Sequence, residues 1–203
     1  MNAQVARGDR RRTALLESLD HYLREQHSAE RGLDSINIAD ISRRAGVTRS
    51  AFYFYFENKA IAVAALMEEM YDESFAAAGL FQADGTPAEN IEAMVRALFS
   101  TWEKHEHIFR ASLDARATSP TVRQLWDHDR ESFVPVVASM IADERAAGAA
   151  PPGIDATALA SVLLELNDRM LERLALGGQL DREQLVDAVV AVWLHSIYGE
   201  VRA

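Results

Sequence analysis

A chain of 203 residues and 22.5 kDa has room for one large domain, or a small domain joined to a larger one, with a sizeable buried core. Its 49% hydrophobic and 26% charged residues exclude an intrinsically disordered protein, and the absence of cysteine excludes a disulfide scaffold, a thiol nucleophile and cysteine-ligated metal centres. The net charge of −10 divides unevenly, +2 over residues 1–59 and −12 over 60–203, so a basic end able to meet phosphate is attached to an acidic body that nucleic acid would repel.

Ala, Leu, Glu and Arg dominate, with only 10 Gly and 5 Pro, so helices are expected throughout. The opening stretch MNAQVARGDRRRTALL clusters Arg7, Arg10, Arg11 and Arg12 but holds no long apolar segment, so it does not read as a secretory signal. No apolar run approaches the roughly 18–20 residues of a membrane span. A cytoplasmic protein with no membrane contact is expected. A first helix spans Arg10 to Arg24, with Leu15, Leu16, Leu19 and Leu23 forming one apolar stripe. Gly32 and Asp34 mark the break after it. Asn37 is a good N-cap, with Asp40 placed to accept back in a capping box. A short helix follows from Ile38 to Ala45, with Ile38 and Ile41 facing inward. Gly46 stops it, because glycine most easily takes the left-handed conformation that ends a helix. Thr48 caps a second short helix, Arg49 to about Tyr55. Two short helices about a glycine turn form a helix-turn-helix.

A long helix begins at Asn58 or Lys59 and runs to about Phe81. Thr86 as N-cap and Pro87 at the first helical position start the next, to about Lys104. Another covers about 106–117. Ser119 and Pro120 repeat the start signal for a helix to about Ala147, with Pro135 inside it and expected to kink it. The loop Gly148–Gly153 precedes helices from about Asp155 to Ala175 and from Asp181 to Tyr198, separated by Gly177 and Gly178.

The stretch INIADISRRAGVTRSAFYFYFENKAIAVAAL concentrates the chemistry. Phe52 and Phe56, at i and i+4, can lock their helix onto the first and fourth helices, while Arg49, Ser50 and Tyr53 share the other side. Arginine is the best single reader of guanine, because its fork matches O6 and N7 in the major groove. Tyr53 and Tyr55 can donate to phosphates, and Lys59 lies in a first helical turn, where free amides also favour phosphate. In the preceding helix Asn37, Ala39 and Arg43 can reach DNA, although Ala39 cannot hydrogen-bond a base through its side chain.

Ala45-Gly46-Val47, the run Phe52 to Phe56 and Asn58-Lys59, in that order, resemble the DNA-binding domain of the TetR family of transcriptional regulators. RATSPTV at 116–122, LNDR at 166–169 and WLHSIYGE at 193–200 resemble its subgroup of mycobacterial ethionamide-resistance regulators. The resemblance implies an all-α chain. Residues 1–58 would form an N-terminal three-helix helix-turn-helix DNA-binding domain, and 59–203 a C-terminal helical ligand-binding and dimerisation domain. It puts Arg49 at the base-reading position, Ser50 at the next, and Tyr53, Tyr55 and Lys59 at backbone-contacting positions. Asn37, Arg43 and Thr48 complete the expected DNA-binding set. Ala51 departs from the threonine common there, so one phosphate hydrogen bond is expected to be missing.

Trp102, Phe109, Trp126, Phe133, Met140, Met170 and Trp193 are spread over separate helices. They either fill a packed core or line an elongated apolar pocket. Asn167, in LLELNDRML, would be the orienting polar group of such a pocket, and by resemblance it lines a ligand tunnel. The last two helices look apolar on more than one face, with Leu171 and Val189 as candidates to face a second copy across a four-helix bundle.

Catalysis finds no support. His105 and His107 are two apart, which suits no helical metal motif, and neither a GxSxG elbow nor a phosphate-binding GxxxxGK[ST] loop occurs. Glu165 and Asp168 could pair two carboxylates, but Arg169 and Arg173 stand close enough to neutralise them. No catalytic residue, metal or cofactor is expected. The sequence therefore reads as a ligand-responsive regulator, a repressor, that binds a pseudo-palindromic double-stranded operator as a homodimer and is released by a hydrophobic small-molecule effector. The alternative is a helical small-molecule or lipid-binding protein whose N-terminal bundle is structural and binds no DNA.

Overall fold

The structure, a computed structural model, describes residues 3–28, 31–78, 85–178 and 180–199. Among these residues it holds nine α-helices and no strand. They are α1 (Ala3–Ser28), α2 (Ile38–Arg44), α3 (Arg49–Tyr55), α4 (Lys59–Ala78), α5 (Pro87–Lys104), α6 (Glu106–Thr118), α7 (Pro120–Ala146), α8 (Ala156–Ala175) and α9 (Arg182–Tyr198). A 3-10 turn, Leu33–Ser35, fills the break after α1. The expected order holds, and most bounds agree to within a residue or two. Helix α1 is longer than the expected 10–24, since the flanking Ala, Arg, Glu and Gln residues are themselves good helix formers. The expected end of α4 at Phe81 and the side chain of Arg7 lie outside the described residues. Pro135 sits in the interior of α7, which continues past it to Ala146.

The chain divides into two compact units, Met1–Asp72 with His105–Leu125, and Glu73–Lys104 with Trp126–Ala203. They cut the chain differently from the boundary expected between residues 58 and 59, because the start of α4 and the whole of α6 group with the N-terminal helices.

In the first unit α1 packs on α2 and α6, and α2 packs on α3. The leucine stripe of α1 is buried as its spacing predicts: Leu15, Leu16, Leu19 and Leu23 join Ile41, Phe52, Phe56 and Val63 in one core. The Ser18 hydroxyl, buried in that core, donates to the Ile41 carbonyl at 2.9 Å and so satisfies itself on α2. Asn37 caps α2 by accepting from the Ala39 amide at 2.8 Å. Asp40 does not complete the expected capping box; its carboxylate takes Arg43 instead, at 2.6 Å. Helix α2 ends with the Val47 amide bonded to the Ser42 carbonyl and the Gly46 amide to that of Arg43. That closure needs the left-handed φ of 67° at Gly46, which glycine adopts without a Cβ penalty. Helix α6 is tied in by polar contacts: His107 Nε2 meets Asp20 Oδ1 at 2.6 Å, and Asp114 accepts from the Leu33 amide at 3.3 Å.

In the second unit α9 packs against both α5 and α8. Thr86 and Glu89 form a reciprocal capping box at the start of α5, with amide bonds of 2.7 and 3.3 Å. Ile91, Val95, Phe99 and Trp102 then bury one face of α5. Val186, Val189, Val190, Trp193 and Ile197 bury much of α9. Arg96 holds the outer edge of the contact, at 3.3 Å from Glu183 and 2.7 Å from Asp187.

The His107–Asp20 contact carries a pH signature. Burial pushes the Asp20 carboxyl up, but hydrogen bonds and charge from His107 and Arg24 outweigh it and hold the group at about 2, against an ordinary 3.8. A carboxyl held low stabilises the fold above its unfolded pKa and loses that contribution as pH falls through its folded pKa. Asp20→Asn is therefore expected to lower stability at pH 7, by less than the full shift implies because the carboxylate is partly screened by solvent, with the deficit vanishing as the pH falls from 3.8 towards 2. Urea midpoints of both proteins across that range check it.

Candidate functional site

Helix α3 has seven residues, too few to persist alone. It is held by Phe52 and Phe56, both buried, with ring centroids 5.6 Å apart. Thr48 caps it by accepting from the Ala51 amide at 3.2 Å. These contacts fix which side faces outward. Arg49, Ser50 and Tyr53 are all exposed, as the spacing requires. Arg49 lies over the Tyr53 ring, its guanidinium carbon 5.7 Å from the centroid, and donates to the Tyr53 hydroxyl at 3.2 Å. One of its five N–H donors is used there. The others stay available for a bidentate contact, and the aromatic platform limits the rotamers that must be ordered on binding. Tyr55 is half-buried, its ring 6.5 Å from that of Phe56.

Lys59 is placed differently from what its position in the sequence suggests. Its ammonium donates to the carbonyls of Leu33 (2.9 Å), Asp34 (3.2 Å) and Ile36 (2.8 Å). All three donors are therefore spent on the segment between α1 and α2, and a direct phosphate bond requires giving one up. The charge itself is not neutralised, because carbonyls are dipoles. Asn37, Arg49 and Lys59 line one open cleft of about 320 Å³, together with Asp34, Ser35, Ile36 and Ile38. Three of the eight expected DNA-binding residues are thus brought together. Arg43 projects into solvent on α2, paired with Asp40, and Thr48, Ser50, Tyr53 and Tyr55 lie outside the cleft lining.

Sequence reasoning missed Phe54, which is 81% exposed. The signal was present: at about 100° per residue, Phe54 lies on the far side of α3 from Phe52 and Phe56. Reading the aromatic run as two buried rings and two hydroxyl donors left it without a role.

The residues expected to line an effector pocket fall into both units. Phe109 is on α6 in the first, while Trp102, Trp126, Phe133, Met140, Asn167, Met170 and Trp193 are in the second. Trp102, Phe109, Trp126, Asn167 and Trp193 are buried; Phe133, Met140 and Met170 are half-buried. The structure joins two of them directly: Trp193 Nε1 donates to Asn167 Oδ1 at 3.0 Å, both inside the protein. Trp126 Nε1 donates not to Asn167 but to its neighbour Asp168, at 3.2 Å.

Asp168 also receives Arg130 at 3.5 Å, and the same guanidinium reaches Glu165 at 3.2 Å and Asp127 at 3.3 Å. The Glu165–Asp168 pair is therefore neutralised from α7, not by Arg169, which pairs with Glu172 at 2.8 Å. Burial pushes the Asp168 carboxyl up, against the indole and guanidinium hydrogen bonds. Among the described residues no group of three His, Asp or Glu side chains is placed to hold a metal ion, and no described helix is long and apolar enough to cross a membrane.

Leu171 and Val189, expected to face a second copy, are both buried within the chain. The large apolar side chains left outward on α8 and α9 are Val162, 64% exposed, and Val192, 44% exposed. Helical periodicity was right about the apolar stripes but could not say which stripe the chain itself covers.

Residues 27–69 match the family model described as bacterial regulatory proteins, tetR family, and residues 91–199 match that of the C-terminal domain of the transcriptional regulator EthR. The chain is 32% identical over 200 residues to the HTH-type transcriptional regulator EthR of Mycobacterium tuberculosis, covering 96% of this chain and 90% of that protein. It is 30% identical to EthR of Mycolicibacterium smegmatis, covering 95% and 88%. The solved structure of the transcriptional regulator FadR from Bacillus subtilis, in complex with stearoyl-CoA, superposes with a TM-score of 0.71 over 92% of this chain and 98% of that one, at 16% identity. A helical binding protein that makes no use of DNA, the alternative reading, is thereby set aside. Arranged as two short helices about Gly46, with the EthR-type region carrying α5 to α9, the chain belongs to the TetR family of DNA-binding transcriptional regulators.

Proposed function

We propose that the protein is a ligand-responsive repressor. Two copies bind a pseudo-palindromic operator, and a hydrophobic small molecule releases them. The observation that carries the DNA half is the fixed outward face of α3, where Arg49 is held ready on Tyr53 by a helix anchored through Phe52. Arg49 reads guanine, and Ser50 contributes beside it. Tyr53, Tyr55, Thr48, Asn37 and Arg43 meet the sugar-phosphate backbone. Lys59 acts mainly by shaping the segment before α2 and by adding an unneutralised charge at the cleft it shares with Arg49 and Asn37. Residues 1–58, together with Lys59 at the start of α4, serve DNA, and the rest of residues 59–203 serves the effector and the second copy. A protein that acts on operator DNA is expected in the cytoplasm.

Dimerisation through α8 and α9 is supported by Val162 and Val192, which stay exposed on the two helices. Two recognition helices must span about one DNA turn, roughly 34–36 Å, to engage adjacent half-sites. A ligand that prefers another spacing weakens operator binding without touching the DNA face.

The effector reading rests on Asn167. A buried amide in an apolar helix costs stability unless its groups are satisfied. Its carbonyl receives Trp193, so the NH₂ is the side with donors to offer. The proposed effector is mainly apolar, with one carbonyl-type acceptor, seated in the second unit among Trp102, Trp126, Phe133, Met140, Met170 and Trp193. FadR, on the same fold, is solved in complex with stearoyl-CoA, a ligand that carries a long apolar acyl chain.

Selection of duplexes from a random pool tests the DNA reading. Arg49→Ala is expected to cost about 1–3 kcal/mol on the selected operator and to relax base preference, with an unchanged melting temperature. Lys59→Ala is expected to weaken all sequences alike and also to lower the melting temperature, since three carbonyls lose their donor. Unaltered selectivity in Arg49→Ala would remove it from the base-reading role.

For assembly, the wild-type mass by light scattering at micromolar concentration should be that of a dimer. Val162→Glu with Val192→Glu should give folded monomers that have lost most operator affinity. A monomeric wild type would overturn the interface.

For the effector, apolar esters, amides and ketones should raise the melting temperature while lowering operator affinity. Asn167→Leu should weaken these ligands and leave ligand-free operator binding in place. Compounds that stabilise the protein yet never release DNA would separate the pocket from regulation.

A further inference from the structure

The outward face of α3 carries one group that hydrogen bonding does not explain. Phe54 is the most exposed large apolar side chain described, at 81%. A helix turns about 100° per residue, so Phe54 lies about 40° from Ser50 and about 160° from Phe52. It therefore stands near the centre of the face opposite the buried Phe52 and Phe56. Its ring is set edge-to-face against that of Tyr55, with centroids 5.0 Å apart and planes at 89°. That contact restricts where the ring can swing, so it is presented outward in a narrow range of positions.

A phenyl ring left in water at the centre of a helix face is poorly placed for the isolated protein. It becomes well placed if that face enters a groove containing an apolar target. The major groove of DNA offers one on its base edges: the C5-methyl of thymine, the one apolar group in its donor and acceptor pattern. Arg49 on the same helix supplies the polar reader and Phe54 an apolar one, so a single helix can distinguish two kinds of base pair.

We propose that Phe54 is a specificity-determining residue that packs on a thymine methyl in each half-site. The inference rests on α3 being the recognition helix. It adds a requirement for thymine that Arg49 cannot impose, and it assigns a DNA contact to an apolar side chain outside the phosphate-binding set. Since the side chain is exposed, its removal should leave the fold intact.

The test uses the full-length protein and the tightest duplex recovered from a random pool. Each thymine is replaced singly by deoxyuridine, which deletes the methyl and nothing else, and binding is measured at one salt concentration. For the wild type, replacement at one thymine per half-site is expected to weaken binding about fourfold, the worth of one buried methyl. Phe54→Ala should bind the thymine and uracil duplexes alike, with unchanged melting temperature, dimer mass and salt dependence. Phe54→Leu, which keeps an apolar end, should retain part of the discrimination. Uniform tolerance of uracil by the wild type overturns the proposal, as does undiminished discrimination by Phe54→Ala. Loss of the dimer in Phe54→Ala would overturn it too, by showing the ring to be a contact between copies. Failure of the wild type to enrich any duplex would remove the recognition-helix reading itself, and enrichment with uniform uracil tolerance removes only the role of Phe54.

Discussion

Burial of Phe52 is the constraint on which the DNA-facing chemistry depends. A seven-residue helix cannot hold itself in water, because nucleation costs more than so few hydrogen bonds return. Helix α3 persists because Phe52 and Phe56 are buried and α3 packs on α2, with the Arg12 guanidinium of α1 over the Phe56 ring at 5.7 Å. That anchoring sets the rotation of α3 about its own axis. Arg49, Ser50, Tyr53 and Phe54 face outward as a consequence of where the two phenylalanines face inward. A polar residue at position 52 would remove the anchor and lose every one of those directions together.

The approach to α2 is fixed by a second, polar device. Between α1 and α2 the described residues include a three-residue 3-10 turn, Leu33–Ser35, closed by the Ser35 and Ile36 amides on the Gly32 and Leu33 carbonyls. Lys59 collects three carbonyls of this segment and joins it to the first turn of α4. Asp114 of α6 takes the Leu33 amide from the same segment, and His107 of α6 meets Asp20 of α1. The helix-turn-helix is thus braced through polar contacts to α4 and α6, which explains why the compact unit around it extends well beyond residue 58.

In the second unit the buried polar groups are few and specific. The Asn167–Trp193 hydrogen bond joins α8 to α9 inside an otherwise apolar interior. Beside it, Arg130 gathers Asp127, Glu165 and Asp168 into a network that neutralises the carboxylates of α8 from α7. A buried carboxylate would be costly without that partner. The two arrangements use adjacent residues for different ends, since Asn167 turns inward to the core and Asp168 turns to the charged edge.

Helix order, most boundaries and the caps at Asn37, Thr48 and Thr86 follow from local sequence, because propensity, capping and glycine placement act over a few residues. The leucine stripe of α1 and the inward pair on α3 were legible for the same reason: a period of 3.6 residues is written directly in the residue pattern. What the local pattern could not decide was which partner each group meets. Asp40 turns to Arg43 and not to its cap, Lys59 spends its donors on carbonyls 23 to 26 residues earlier, and Arg130 reaches Glu165 and Asp168 from another helix. Leu171 and Val189 turn into the core while Val162 and Val192 stay outside, because an apolar stripe becomes core or surface only when a second helix arrives to cover it. Each of these depends on contacts between residues far apart in the chain, and only the folded structure chooses among the several that the sequence permits.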